Sequence, residues 1–421
     1  MKRGLLSLIL FLPLLAVAVP VDTGPVVNAI NTLGLDLYHA QSAGDGNLLF
    51  SPYSIQNALA MTYAGADGDT RAEMQRVLHY PADDTALHGG FAELAQELTQ
   101  IAQDSAKRAE ETKNAGGDPN KPIEFHLANR LFVQRGYELR APFLALVKDN
   151  YGALPGELDF AHAAEAARLT INQWAEDNTN GKIHDLIPSG GPSDRTRLIL
   201  ANAVYLYESW EQPFKADVTE PKPFFVRGAD RVLVPTMCQR TGFRYEHHHG
   251  FTILALPYEG GDLQCLIFLP DRRKGLPTLE QKITPALLAE CTKLPSCDVL
   301  LYLPKFQLEP PSISLGNQLR QLGMNTAFDE PHGSANFDRM APRKPDEYLA
   351  IDDVAHKAFF KLDEKGTEAA AVTDTIMLAA FGAAPSRPDP IEVRVDHPFV
   401  FAIQHVPSGE CLFLGRVTDP R

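Results

Sequence analysis

Histidine, cysteine and serine are the side chains of this sequence best suited to catalysis or ligation, and their spacing decides what they can do. His247-His248-His249 offers three imidazoles in a row. Consecutive residues cannot put two ligands on one face as an i, i+4 helical pair does, so a solvated loop without metal is expected. The five cysteines, Cys238, Cys265, Cys291, Cys297 and Cys411, are too few for a disulfide framework and lack zinc-ligand spacings. Cys265 and Cys411 stand in apolar runs, where cysteine acts as a small hydrophobe. Whether Cys291 and Cys297 pair stays open. The chain has no Gly-x-Ser-x-Gly turn, His-Glu-x-x-His helix, phosphate loop or dinucleotide fingerprint. His356 shares a strand face with Val354, Ala358, Phe360 and Leu362, the setting of a buried, hydrogen-bonded histidine rather than a base. Neither an enzyme nor a cofactor is expected.

The segment with the most distinctive pattern has almost no reactive side chains. Glu364 to Pro390 reads EKGTEAAAVTDTIMLAAFGAAPSRPDP, between two convincing strands. Connections of this length inside compact domains are uncommon and are usually functional or disordered. Every second residue from Thr367 gives Thr367, Ala369, Ala371, Thr373, Thr375, Met377 and Ala379, all uncharged and mostly small. The intervening set holds both charges, Glu368 and Asp374. With the period of two that strands have, one face is fit for burial and the other for solvent. The segment is written as a strand that has yet to find its sheet.

The elements around it imply an α+β architecture. Helical spacing marks Val26, Val27, Ile30, Leu33 and Leu37, and a buried helix is expected over Ser54–Ala64. Thr70 with Glu73 has the form of a capping box. Phe125, Leu127, Asn129, Leu131 and Val133 alternate as in a strand, and a helix from about 163 to 180 stops at Gly181. The run from Leu198 to Leu206 is apolar on both faces, as a central covered strand must be. Further strands are expected at 251–256, 264–269, 299–303, 355–362, 391–395 and 399–405. No linker divides the chain, so residues 19–421 are expected to form a single domain.

Composition narrows the partners. A net charge of −14 argues against nucleic acid, anionic membranes and sulfated glycans. Residues 1–18 combine Lys2 and Arg3, an apolar run from Leu5 to Leu15, and the small-residue cleavage signal Ala16-Val17-Ala18. That pattern predicts a signal peptide and hence a secreted protein, extracellular or periplasmic.

The chain resembles the serpins, and does so over nearly all its length. The resemblance runs through Asn47-Leu-Leu-Phe-Ser-Pro-Tyr-Ser54, Asn172-Gln-Trp174, Thr179-Asn-Gly-Lys-Ile183, Leu200-Ala-Asn-Ala-Val-Tyr205, Trp210, Leu256-Pro-Tyr258 and Leu303-Pro-Lys-Phe306. It ends with Asp363-Glu-Lys-Gly-Thr-Glu-Ala-Ala-Ala371 and Asp396-His-Pro-Phe-Val-Phe401. It implies three β-sheets, about nine helices and an exposed reactive-centre loop at about 364–390. It also implies a suicide inhibitor of serine-type endopeptidases, a monomer that traps an acyl-enzyme by inserting its cut loop into the main sheet. A non-inhibitory serpin with a carrier, chaperone or storage role is the alternative. By the same resemblance Ser51, Ser54, Asn202 and His356 form the sheet-closing cluster, and Lys305, Glu364 and Trp210 lie where the loop enters. The hinge is Glu364, Gly366, Thr367, Glu368, Ala369, Ala370 and Ala371. Family spacing puts the reactive bond at Ala380-Phe381, with Ala380 suited to elastase-like or subtilisin-like proteases. Cleavage after Phe381 is the second choice and would suit chymotrypsin-like ones.

Overall fold

The computed structural model describes residues 21–42, 44–117, 119–367 and 389–421. Its organising element is the strand Leu198–Ser209, in which every side chain is buried. The two faces of this strand meet different cores. Leu198, Leu200, Val204 and Leu206 join the main core. Ile199, Ala201, Ala203, Tyr205 and Tyr207 pack in a smaller cluster with Phe160, Ala167, Ile171 and Ala175 of the helix Phe160–Asn178. Two covered faces are why this run is apolar from Leu198 to Leu206 at every position but Asn202.

Glu124–Gln134 pairs with this strand antiparallel on one side, and Ile351–Asp363 pairs with it parallel on the other. Gly156–Leu158, Phe306–Leu308, Ile313–Ser314 and Gly366–Thr367 complete a seven-stranded sheet. A second sheet has nine strands, joined through the long strand Asp230–His248. The first part of that strand pairs with Glu220–Val226, its middle with Ser296–Pro304 and its end with Phe251–Pro257. The larger network therefore has two lobes sharing one strand. With nine α-helices among the described residues, the expected α+β architecture stands, its sheets forming two continuous networks.

Two local expectations fail for identifiable reasons. Thr70 and Glu73 do not cap a helix, because the helix Gly68–Val77 starts earlier. Their side chains instead accept amide hydrogens from Asn336 and from Asn325 and Thr326, tying the helix to a distant segment. His247 and His248 are not in a loop but end the strand Asp230–His248, where His248 stacks on Phe251. Among the described residues no group of His, Cys, Asp and Glu could hold a metal ion, and no helix is long and apolar enough to cross a membrane. All five cysteines are free thiols.

Candidate functional site

The contacts that join the Leu198–Ser209 and Ile351–Asp363 strands start with one helix terminus. Ser51 caps the fully buried helix Pro52–Tyr63, its hydroxyl accepting the Ser54 amide at 3.2 Å and donating to the Leu412 carbonyl at 2.5 Å. The Ser51 amide donates to Nε2 of His356 at 3.2 Å. An amide N–H can only donate, so Nε2 accepts and the ring proton sits on Nδ1, where it bonds Oδ1 of Asn202. Asn202 in turn donates to Ser54 Oγ at 2.6 Å and to Asn129 Oδ1. Ser51, Ser54, Asn202 and His356 are all fully buried. Burial pushes His356 down to about 3, so the ring is neutral. This network crosses from the helix to both central strands, which pair directly over eight residues from Ile351 to Phe359.

Above the Tyr205–Phe359 pair the two strands part, and Gly366 and Thr367 occupy the gap. Gly366 pairs with Ser209 on one side and Asp363 on the other, and Thr367 with Glu208 and Leu362. The backbone approach demands glycine, since a Cβ on Gly366 would collide with the Glu208 carbonyl oxygen. Thr367 is fully buried and its hydroxyl shares a 2.6 Å hydrogen bond with Tyr258. Tyr258 stacks on Trp210 with ring centroids 4.6 Å apart, and the Trp210 indole donates to the Asp363 carbonyl at 2.9 Å. Lys305 and Glu364 form an ion pair at 2.7 Å, with Thr219 donating to the same carboxylate at 2.8 Å. Burial alone would raise Glu364, but Lys305, its own amide and Thr219 outweigh it and hold the carboxyl below its ordinary value. Glu208 accepts the Ser209 amide, and burial pushes it up to about 8.

The sequence thus names the ends of this site but not its middle. Asn129, Thr219 and Tyr258 all bond to the expected residues, yet none stands out in the sequence as a site residue. Of the three, Tyr258 carries a signal, since it lies in the Leu256-Pro-Tyr258 motif. Glu368, Ala369, Ala370, Ala371, Ala380 and Phe381 lie outside the described residues.

A family model described as Serpin (serine protease inhibitor) matches residues 28–420. The chain belongs to the serpin family. Its relatives include an uncharacterized serpin-like protein of Thermococcus kodakarensis, 38% identical over 94% of this chain and 86% of that one. The leukocyte elastase inhibitor of Bos taurus is 36% identical over 89% of this chain and 93% of its own. Among solved structures, Serpin48 of the insect Tenebrio molitor superposes with a TM-score of 0.78 at 30% identity, covering 94% of this chain and 98% of that one. Uncleaved ovalbumin gives 0.76 at 28%, covering 94% and 100%. The description of that family is of inhibitors of serine proteases. One expectation is corrected. The named relatives are leukocyte elastase inhibitors, intracellular serpins that lack a signal peptide, and this overturns the assignment as secreted. Residues 1–18, read as a leader, lie outside both the family match and the described residues.

Proposed function

We propose that this serpin is a single-use inhibitor of serine-type endopeptidases. The protease attacks the reactive segment as a substrate. The cut segment then enters the sheet between the Leu198–Ser209 and Ile351–Asp363 strands before the acyl-enzyme can hydrolyse. The observation that carries this reading is the seat of Gly366 and Thr367, already paired between the ends of those two strands. The alternation of uncharged residues from Thr367 onward supports continuation of the same pairing, and roughly fourteen extended residues reach about 45–50 Å, enough to carry an attached protease across the molecule. In this reading Ser51, Ser54, Asn202 and His356 keep the sheet closed, and Lys305, Glu364 and Trp210 set the entry point. Residues 19–421 act as one domain with the reactive segment at about 364–390.

For the target, elastase-like or subtilisin-like proteases are favoured, with Ala380-Phe381 as the reactive bond. The small side chain of Ala380 fits their narrow specificity pockets, and several relatives are named as inhibitors of leukocyte elastase. Incubation with elastase, chymotrypsin and trypsin tests this on a denaturing gel. A complex that survives denaturation is expected with elastase, releasing a C-terminal fragment that starts at Phe381. Cleavage without a stable complex for every protease would make the chain a non-inhibitory serpin.

A further inference from the structure

Against the first turn of the helix Pro52–Tyr63 lies the carboxyl group of Glu410, which acts on Tyr53. Glu410 is fully buried, in the turn between the strands Phe399–His405 and Cys411–Val417, and among the described residues neither of its carboxyl oxygens meets a hydrogen-bond donor. His405 Nδ1 is 3.9 Å from Glu410 Oε1 and 3.7 Å from Glu97 Oε2, itself buried and unbonded. The helix Asp84–Asn114 brings Glu97, with Glu93 acting on it, and the helix Pro52–Tyr63 brings the Tyr53 phenol. The strand Phe399–His405 contributes His405, the strand Cys411–Val417 the Cys411 thiol, and the helix Gly24–Gln41 the uncharged Asn31. Among the described residues neither Glu97 nor Glu410 is paired with a lysine or arginine.

Two carboxyl groups in such a place cannot both ionise cheaply, because burial penalises the charge and each opposes the other. Burial first, then Glu97, raises Glu410 well above the carboxyl range. Glu97 is raised by burial and by Glu93. His405 offers no compensating charge, since burial pushes it down to about 4. Glu410 therefore keeps its proton above the pH at which an ordinary carboxyl group loses it.

The backbone connects this cluster to the central network. Two residues beyond Glu410, the Leu412 carbonyl accepts the Ser51 hydroxyl, and the Ser51 amide holds His356. We infer that Glu97, His405 and Glu410 form a pH-sensitive latch on the sheet-closing network, in which ionisation of Glu410 loosens the Leu412–Ser51 anchor and lets the sheet open more readily. The inference rests on the reading that the Ser51–His356–Asn202 network keeps the sheet closed.

The sign comes from linkage. A group whose folded value lies above its unfolded one stabilises fully below the ordinary carboxyl range, and that contribution is lost as pH rises. Glu410→Gln copies the shape of the protonated form and cannot ionise. The full chain is incubated at 45 °C between pH 6 and pH 9, and the half-life of the form whose reactive segment a small protease can cut is measured, with melting temperatures alongside. The wild type is expected to lose half-life at least about threefold over this range and to melt roughly 2–5 °C lower at pH 9. Glu410→Gln is expected to be flat in the first and flatter in the second. Equal pH profiles for the two proteins would overturn the latch. So would a flattened melting profile with an unchanged half-life profile, which would leave Glu410 titrating without coupling to the sheet. His356→Ala at pH 6 tests the underlying reading separately. It is expected to shorten the half-life, and an unchanged value would remove the sheet-closing role and the latch with it.

Discussion

The Ser51 amide can only donate, so the hydrogen bonds of His356 are directional, and a second ring proton would destroy the one at Nε2. Because burial holds the ring at about 3 against an ordinary 6.5, stability from neutral His356 is complete above pH 6.5 and is lost as pH falls below it. His356→Gln is therefore expected to melt lower at pH 7, having lost bonds to two buried partners, and to show a shallower decline between pH 6.5 and 4. Melting curves across that range check it. Part of the decline should persist, because His88 and His405 are pushed down to about 4 by burial and have the same sign. Gly366 is the other residue whose identity the geometry dictates. Gly366→Ala drives a methyl group into the Glu208 carbonyl and must displace the hinge from its seat. Breaking the Thr367–Tyr258 bond removes the partner of the buried Thr367 hydroxyl, at a cost of about 1–3 kcal/mol, while the Tyr258 hydroxyl keeps the Cys265 thiol. The variant should still be cut in its reactive segment while needing more inhibitor molecules per protease inactivated, which a titration against elastase measures.

Between elements, the pairing of the hinge fixes the register of the residues beyond it. Thr367 faces Glu208 and Leu362 across its two antiparallel ladders. Continuing both ladders by six residues brings Thr373 opposite Asn202 and His356, at the centre of the closing network. An entering strand must break the Asn202–His356 bond, and the Thr373 hydroxyl arrives where it can replace it. Thr373→Val keeps the shape and removes the hydroxyl. The intact protein should melt as before, while the cleaved form should lose about 1–3 kcal/mol, seen as a smaller rise in melting temperature after cleavage. The same elements show what sequence alone makes legible. Leu198–Ser209 is evident because two covered faces leave a run that is apolar up to Leu206 except at Asn202. Asp230–His248 is not, because it pairs in turn with three partners and shows no steady alternation of buried and exposed residues. The polar residues of the site are placed by resemblance, since Ser51, Asn202 and His356 come from segments more than 150 residues apart. Their bonds to Asn129, Tyr258 and Thr219 depend on tertiary contacts that no local pattern encodes.

At the scale of the whole molecule, the seven-stranded sheet is one strand short of what its sequence could build. Its two central strands pair in parallel over eight residues, and the strand written into the reactive segment touches them only through Gly366 and Thr367 among the described residues. Full entry would exchange that one parallel ladder for two antiparallel ones. About a dozen new hydrogen bonds at roughly 1 kcal/mol each, with the burial of Ala369, Ala371, Thr373, Thr375 and Met377, give on the order of 10 kcal/mol or more. Against this stand the ordering of the segment and the reopening of the network around His356. On the proposed mechanism the closed form would be metastable, held by the uncut chain between Thr367 and Ile391. Cutting that connection once removes the restraint and leaves the packed core untouched. The nicked protein should therefore melt about ten degrees or more above the intact one, an increase that disulfides cannot supply because the cysteines are free. Calorimetry of the two forms in the same buffer decides it. A nicked form that melts at or below the intact temperature would show that the segment does not enter the sheet, and the trapping mechanism would fall with it.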